Sequence, residues 1–125
     1  MSYESRIYVG VVRNGDDYFS EIAKFQIGKI DYTGAFHRLI GMSKDVDDLC
    51  LYADDGDTEI TIDKYGEKLK ELPLDDVIKA LGKDKERYRR IPPVIEFLRV
   101  IKVQKEFGVW GYEDDVNIKV LHFGY

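Results

Sequence analysis

The segment 49–62 is the part of the sequence that most constrains the fold. Two short runs of apolar and β-branched residues flank the turn residues Asp55 and Gly56. Alternating apolar residues on both sides of an Asp-Gly pair are typical of a β-hairpin with a tight loop. The spacing pairs Leu51 with Ile60 on an apolar face and leaves the other face mostly polar. The sequence therefore predicts a half-buried antiparallel ribbon here.

A second hairpin is expected near the start of the chain. The run 6–12 is rich in β-branched and aromatic side chains that suit a pleated sheet, and an Asn-Gly pair follows at 14–15. A two-residue type I′ turn there would pair Val11 with Tyr18. Residues 18–30 fit one face of a strand and one face of a helix about equally well. We favour a strand, because the turn signal precedes the segment directly.

Helical periodicity appears in three later segments, and strand periodicity returns at the end of the chain. The helical patterns cover 33–40, which begins with a possible Thr cap, 74–81 and 94–107, and residues 116–123 alternate as a strand. These elements predict an α+β fold over one domain, residues 1–125. Two hairpins and the C-terminal strand would form a mainly antiparallel sheet, with two or three helices packed on one face.

The third predicted helix carries apolar residues on two of its sides. Val100, Val103 and Phe107 lie off the stripe that begins at Val94. A helix with apolar residues on two sides typically packs with one side on its own sheet and with the other side on another chain. A homodimer is therefore one of the arrangements that the sequence allows.

Composition excludes several classes of protein. In 125 residues, 44% are hydrophobic, 13% aromatic and 34% charged, which excludes disorder, and the net charge is −5. No apolar run approaches the roughly 20 residues of a membrane span. The first residues lack a secretory signal pattern, and the single cysteine, Cys50, can form no internal disulfide. We therefore expect a cytoplasmic protein that does not bind membranes.

The acidic turn 54–57 is the first pattern with possible chemistry. Clustered carboxylates can hold Mg²⁺ or Ca²⁺, and a metal-dependent enzyme centred on Asp54 and Asp57 is one alternative. Asp and Gly are also the ordinary residues of a solvated hairpin turn, and the spacing lacks the rest of a calcium-binding loop. The two histidines and Cys50 form no known catalytic motif. We assign no catalytic residue, metal or cofactor.

The basic segment 83–105 is the second pattern, because most of the remaining chain is acidic. Arginines beside a tyrosine can contact phosphates and stack on bases, so a nucleic-acid-binding protein is the main alternative function. A solvated charged surface explains the same residues. The nucleic-acid contacts would come from Arg87, Arg89, Arg90, Arg99 and Lys102.

The aromatic residues are the third pattern, because nine tyrosines exceed the need of a core this size. The segment 108–115 places Trp and Tyr between glycines with an acidic rim, which is typical of a protein-binding loop. A connector whose Trp closes the edge of the core would look the same. The partner-binding residues predicted from this pattern are Trp110, Tyr112, Asp114, Asp115 and Tyr88.

Missing catalytic motifs, acidic turns and surplus Tyr and Trp together favour one function. We expect a small acidic, non-enzymatic protein-binding domain of the inhibitor, immunity or adaptor type. Its partner would be another protein, and the acidic surface would suit a nucleic-acid-binding one. Nucleic acid itself is a less favoured partner, because a net negative chain repels phosphates at long range.

Overall fold

The structure is a computed structural model that describes residues 4–15, 18–29, 33–46, 49–53, 55–85, 89–111 and 115–125. The elements in these ranges, in chain order, are β1 (Glu4–Arg13), β2 (Ser20–Lys29), α1 (Ala35–Met42), β3 (Lys44–Asp45), β4 (Leu51–Tyr52), β5 (Glu59–Ile60), β6 (Lys70–Leu72), α2 (Leu74–Asp84), α3 (Ile91–Glu106) and β7 (Val116–Gly124).

The main sheet has five antiparallel strands in the order β2-β1-β7-β6-β3. The C-terminal strand β7 lies at its centre, between β1 and β6. The predicted α+β class is therefore confirmed, with three helices against an antiparallel sheet. Residues 18–30, which fitted either a strand or a helix, contain the strand β2 at one edge of this sheet.

One face of the sheet packs against the helices, because alternate strand residues point to it. Ile7 and Val9 of β1 and Val120 of β7 are fully buried there, against Val77 of α2 and Leu98 of α3. We call this cluster the helix-side core.

The other face is covered by the hairpin that the 49–62 pattern predicts. Strands β4 and β5, together called the ribbon, pair Leu51 with Ile60 as expected. The ribbon forms a separate two-stranded sheet and does not extend the main one. Its Leu51 is buried against a cluster that we call the ribbon-side core, with Tyr8, Val12, Phe19, Leu69, Leu121 and Phe123. The sheet is thus covered on both faces, which the sequence pattern did not indicate.

The first hairpin differs from its prediction in both turn and register. Val11 pairs with Ser20 instead of Tyr18, and two irregularities interrupt the β1–β2 ladder. A type I′ turn needs positive φ at both central residues, yet none of the described non-glycine residues has one. Asn14 instead extends the pairing of β1 with β7. Its amide donates to the Asp115 carbonyl at 3.0 Å, and its side chain accepts from Asn117 at 3.1 Å.

Helix α1 begins with a cap that comes from another helix. Gly34 is the N-cap and supplies no side-chain bond, so the predicted Thr33 cap is wrong. Asp84, buried at the end of α2, accepts instead from the backbone N–H of Ala35 at 3.1 Å and of Phe36 at 3.0 Å. Two orphan donors of α1 are satisfied in this way.

Candidate functional site

Exposed apolar and aromatic side chains gather at two places on the described surface. Single exposed hydrophobic residues are ordinary, whereas contiguous groups mark binding sites. Three exposed tyrosines line a cleft beside the ribbon, and five large apolar side chains lie on or just after α3. The members are Tyr18, Tyr52 and Tyr125 at the cleft and Phe97, Val100, Val103, Phe107 and Val109 at the helix.

Helix α3 has two apolar sides, as its sequence pattern predicts. Its buried side, with Leu98 and Ile101, packs in the helix-side core. At 100° per residue the exposed apolar positions fall in a sector of about 120° on a different side. We call this sector the outer side of α3; its members are Phe97, Val100, Val103 and Phe107, which are 42%, 53%, 49% and 83% exposed.

One end of the outer side is anchored to the main sheet. The Phe97 ring meets the Phe25 ring of β2 edge to face, with 5.0 Å between the centroids. Beyond it, Val100, Val103 and Phe107 follow along the helix toward its C-terminal end. The outer side is therefore a mainly apolar surface about three turns long, in which Glu96 and Gln104 share the helical sector of the apolar residues.

Two of the five residues predicted to contact nucleic acid, Arg99 and Lys102, are paired with carboxylates. Arg99 lies 3.0 Å from Glu96 on the same helix, and Lys102 lies 2.8 Å from Asp75 of α2. The Asp75 carboxylate, through its hydrogen bond and its charge, raises the pKa of Lys102. Arg89 and Arg90 are exposed just before α3, more than a turn from these pairs, and Arg87 lies outside the described residues.

The predicted aromatic loop is only partly described. Trp110 is half-buried and packs against the helix-side core, and its carbonyl accepts from the Arg13 guanidinium at 3.1 Å. Asp115 is exposed beside β7. Tyr88, Tyr112 and Asp114 lie outside the described residues. Trp110 thus packs against the core and stays partly exposed, which agrees with the connector interpretation and leaves the partner-binding role of the loop a prediction.

The acidic turn is built around Asp55. Its carboxylate accepts from the backbone N–H of Asp57 and of Thr58, each at 2.9 Å, and from the Thr58 hydroxyl at 2.6 Å. The Thr58 bonds lower the pKa of Asp55 to about 2. Asp54 lies outside the described residues, and those described hold no group of three or more His, Cys, Asp or Glu side chains suited to a metal ion.

A cleft of about 530 Å³ lies between the main sheet and the ribbon. Its floor is aromatic, since Phe19, Phe123 and Tyr8 are all nearly buried there. The Phe19 ring lies directly over Gly10 of β1, where a Cβ atom would stand 2.5 Å from the ring. Glycine at this position therefore lets the ring seat against the backbone and leaves room above it.

Charged and exposed aromatic side chains form the walls of the cleft. Tyr18, just before β2, and Tyr52 of β4 are 54% and 38% exposed, with ring centroids 5.7 Å apart. The hydrogen bond to Cys50 raises the pKa of Tyr52. Three cationic side chains and one acidic side chain are among the described lining residues, namely Arg6, Lys24, Lys64 and Glu21.

The side chain of His122 in β7 packs against α1, where the centroid of its ring lies 6.2 Å from the centroid of the Phe36 ring. Burial lowers the pKa of His122 to about 4, although the Asp63 charge opposes the shift. Asp63 is itself buried and accepts from the backbone N–H of Tyr65, Glu67 and Gly124. The Asp63 carboxylate therefore ties the segment that follows the ribbon to the end of β7.

Sequence reasoning did not identify the cleft. Its residues come from β1, the start of β2, the ribbon and the end of β7, so no linear pattern contains them. The one available signal was the surplus of tyrosines, since Tyr18, Tyr52 and Tyr125 all line it. The outer side of α3 was visible because helical spacing is a local property.

Comparisons with known proteins give no family for this chain. No family model, curated protein or solved structure matches it. Within the described ranges, no helix is both long and apolar enough to cross a membrane.

Proposed function

We propose that this protein is a non-enzymatic protein-binding domain of the inhibitor, immunity or adaptor type that docks through the outer side of α3. The observation that carries the proposal is the row Phe97, Val100, Val103 and Phe107, exposed on a helix whose other side is already buried. Amphipathic helices bind apolar grooves through anchors spaced in this way.

The rim of the outer side supports a specific protein contact. Glu96, at the N-terminal end of the same sector, pairs with Arg99 at the border of the sector, and both side chains are more than half exposed. An apolar centre with a mixed polar rim is the usual anatomy of a protein interface. Rim charges of both signs add orientation and contribute little to the affinity itself.

The occupant that fits best is a different protein with an apolar groove and a net positive charge. A second copy of the chain would bring another charge of −5, so the two copies would repel at long range. A basic partner is attracted by the same field, which speeds association. A nucleic-acid-binding protein is one partner class with that charge.

The test compares two side chains of nearly equal exposure. Phe107 is 83% exposed on the outer side, and Met42 is 81% exposed at the end of α1. Phe107→Ser should weaken partner binding by about 2 kcal/mol, as loss of an interface anchor does, whereas Met42→Ser should leave it unchanged. The partner is first captured by a photo-crosslinking residue at Val103 in the native host, and affinities are then measured by titration.

Two results would contradict this proposal. Equal binding by the Phe107→Ser and Met42→Ser variants would remove the outer side from the interface. Sedimentation showing a dimer that Phe107→Ser dissociates would make the occupant a second copy. Both variants should unfold at the same denaturant concentration as the parent, because neither side chain is buried.

A further inference from the structure

The cleft beside the ribbon has an exposed aromatic surface. Tyr18 and Tyr52 come from different elements, and their rings are held 5.7 Å apart at a tilt of 33°. Both remain substantially exposed, although the aromatic floor of Phe19 and Phe123 lies close by. Exposed aromatic rings over a cleft are what proteins use to stack planar bases.

The same cleft concentrates positive charge on an acidic protein. The Arg6 guanidinium lies 4.4 Å and the Lys64 ammonium 4.9 Å from the centroid of the Tyr125 ring. Lys24 and the one acidic side chain among the described lining residues, Glu21, both belong to β2. None of the ion pairs found among the described residues includes Arg6, Lys24 or Lys64. Clustered cations without carboxylate partners favour an anionic ligand.

Arg6 is held in place while keeping donors for a ligand. Its Nε donates to Gln26 at 2.9 Å, and one terminal nitrogen donates to the Tyr8 hydroxyl at 3.3 Å. A guanidinium has five N–H donors in a fixed fork, a geometry that matches phosphate. These two bonds to neutral groups orient the fork, and Gln26 in turn donates to the Glu4 carboxylate at 2.9 Å.

The size of the cleft also fits a small ligand. Its volume of about 530 Å³ falls within the range of about 300–1,000 Å³ that is usual for ligand sites. The buried aromatic residues and the close packing of Phe19 on Gly10 fix the floor of the cleft, so the floor itself loses little order on binding.

We infer that this cleft binds a nucleotide, with the base stacked on Tyr18 and Tyr52 and the phosphate held by Arg6, Lys24 and Lys64. This goes beyond the proposed protein contact, which uses α3 on the opposite side of the sheet. A free mononucleotide and a nucleotide within a single strand present the same base and phosphate, so both are ligands by this chemistry.

The experiment measures binding of two probes at low salt. A fluorescein-labelled single-stranded oligonucleotide is titrated with the protein, and its fluorescence anisotropy reports binding. Binding of adenosine and uridine monophosphates is followed by chemical-shift changes in the NMR spectrum of the protein. Tyr18→Ala with Tyr52→Ala should weaken binding about tenfold or more. Lys24→Ala with Lys64→Ala should weaken it similarly and flatten the salt slope for the oligonucleotide by up to about 1.4, roughly 0.7 per contact.

The matched control removes the same charge from the basic segment. Arg89→Ala with Arg90→Ala should leave both probes bound as in the parent, because these residues lie outside the cleft. Tight binding of the oligonucleotide with weak binding of the mononucleotides would identify a nucleic-acid single strand as the ligand. The reverse result would identify a free nucleotide as the ligand. Loss of binding in the Arg89/Arg90 variant alone, or no binding of either probe by the parent, would overturn the inference.

Discussion

Asp84 shows how a single buried carboxylate can connect two helices. Its oxygens accept from the first backbone donors of α1 while its own backbone ends α2. Asp84→Ala should lower the free energy of unfolding by about 2 kcal/mol or more, because it removes a cap and leaves buried donors unsatisfied. Urea unfolding measures this change. Asp57→Ala, which removes an exposed carboxylate, is the control, and an equal loss in both variants would contradict the role of Asp84.

His122 makes stability depend on pH in a defined window. Burial lowers its pKa from the ordinary value of 6.5 to about 4, so the unfolded chain takes up the proton first as the pH falls. Stability is therefore full above about pH 6.5 and is lost progressively toward about pH 4. Between about pH 7.5 and pH 5 this difference amounts to about 2 kcal/mol.

The His122→Gln variant isolates that effect, because all other titrating groups are shared with the parent. The parent should lose about 2 kcal/mol more than the variant between the two pH values. Urea titrations of both proteins at each pH give the comparison. Equal losses would show that His122 is protonated in the folded state at the same pH as in the unfolded chain.

The ribbon was predictable as an element, and its position was not. The Leu51–Ile60 register follows from residues within one short segment, so turn chemistry and alternation were enough. The predicted β1–β2 register was wrong because Asn14 accepts a hydrogen bond from Asn117, which is 103 positions away in the sequence. The predicted Thr33 cap of α1 was wrong for the same reason, because the residue that caps the helix, Asp84, is 48 positions from Phe36. Local sequence patterns do not contain such partners.

Leu51 holds the ribbon on the sheet and is 3% exposed, whereas Ile62, just after β5, is 52% exposed. Leu51→Ala should cost about 2 kcal/mol or more in unfolding free energy, through lost burial and the cavity left behind. Ile62→Ala should cost much less. Equal and small effects of the two substitutions in urea unfolding would mean that the ribbon is not docked through Leu51.

The whole molecule has unequal layers on the two faces of its sheet. On the helix side three helices pack against the sheet, whereas the two strands of the ribbon are joined by only two residue pairs. Parts with few buried contacts and few backbone bonds open at a lower free energy than the global one. The ribbon should therefore open while the sheet and helices stay folded.

Two side chains can report these layers separately. Cys50, next to β4, is half-buried and is the single cysteine of the chain, and Trp110 is its single tryptophan and packs in the helix-side core. Thiol labelling of Cys50 should accelerate at urea concentrations where Trp110 fluorescence is still native. Cys50 of the Leu51→Ala variant should be labelled faster than Cys50 of the parent. The substitution cannot lower the free energy of global unfolding by more than the free energy of opening the ribbon, because Leu51 makes no contact with the core once the ribbon is open. Labelling that rises only with the Trp110 transition would show that both faces unfold as one unit.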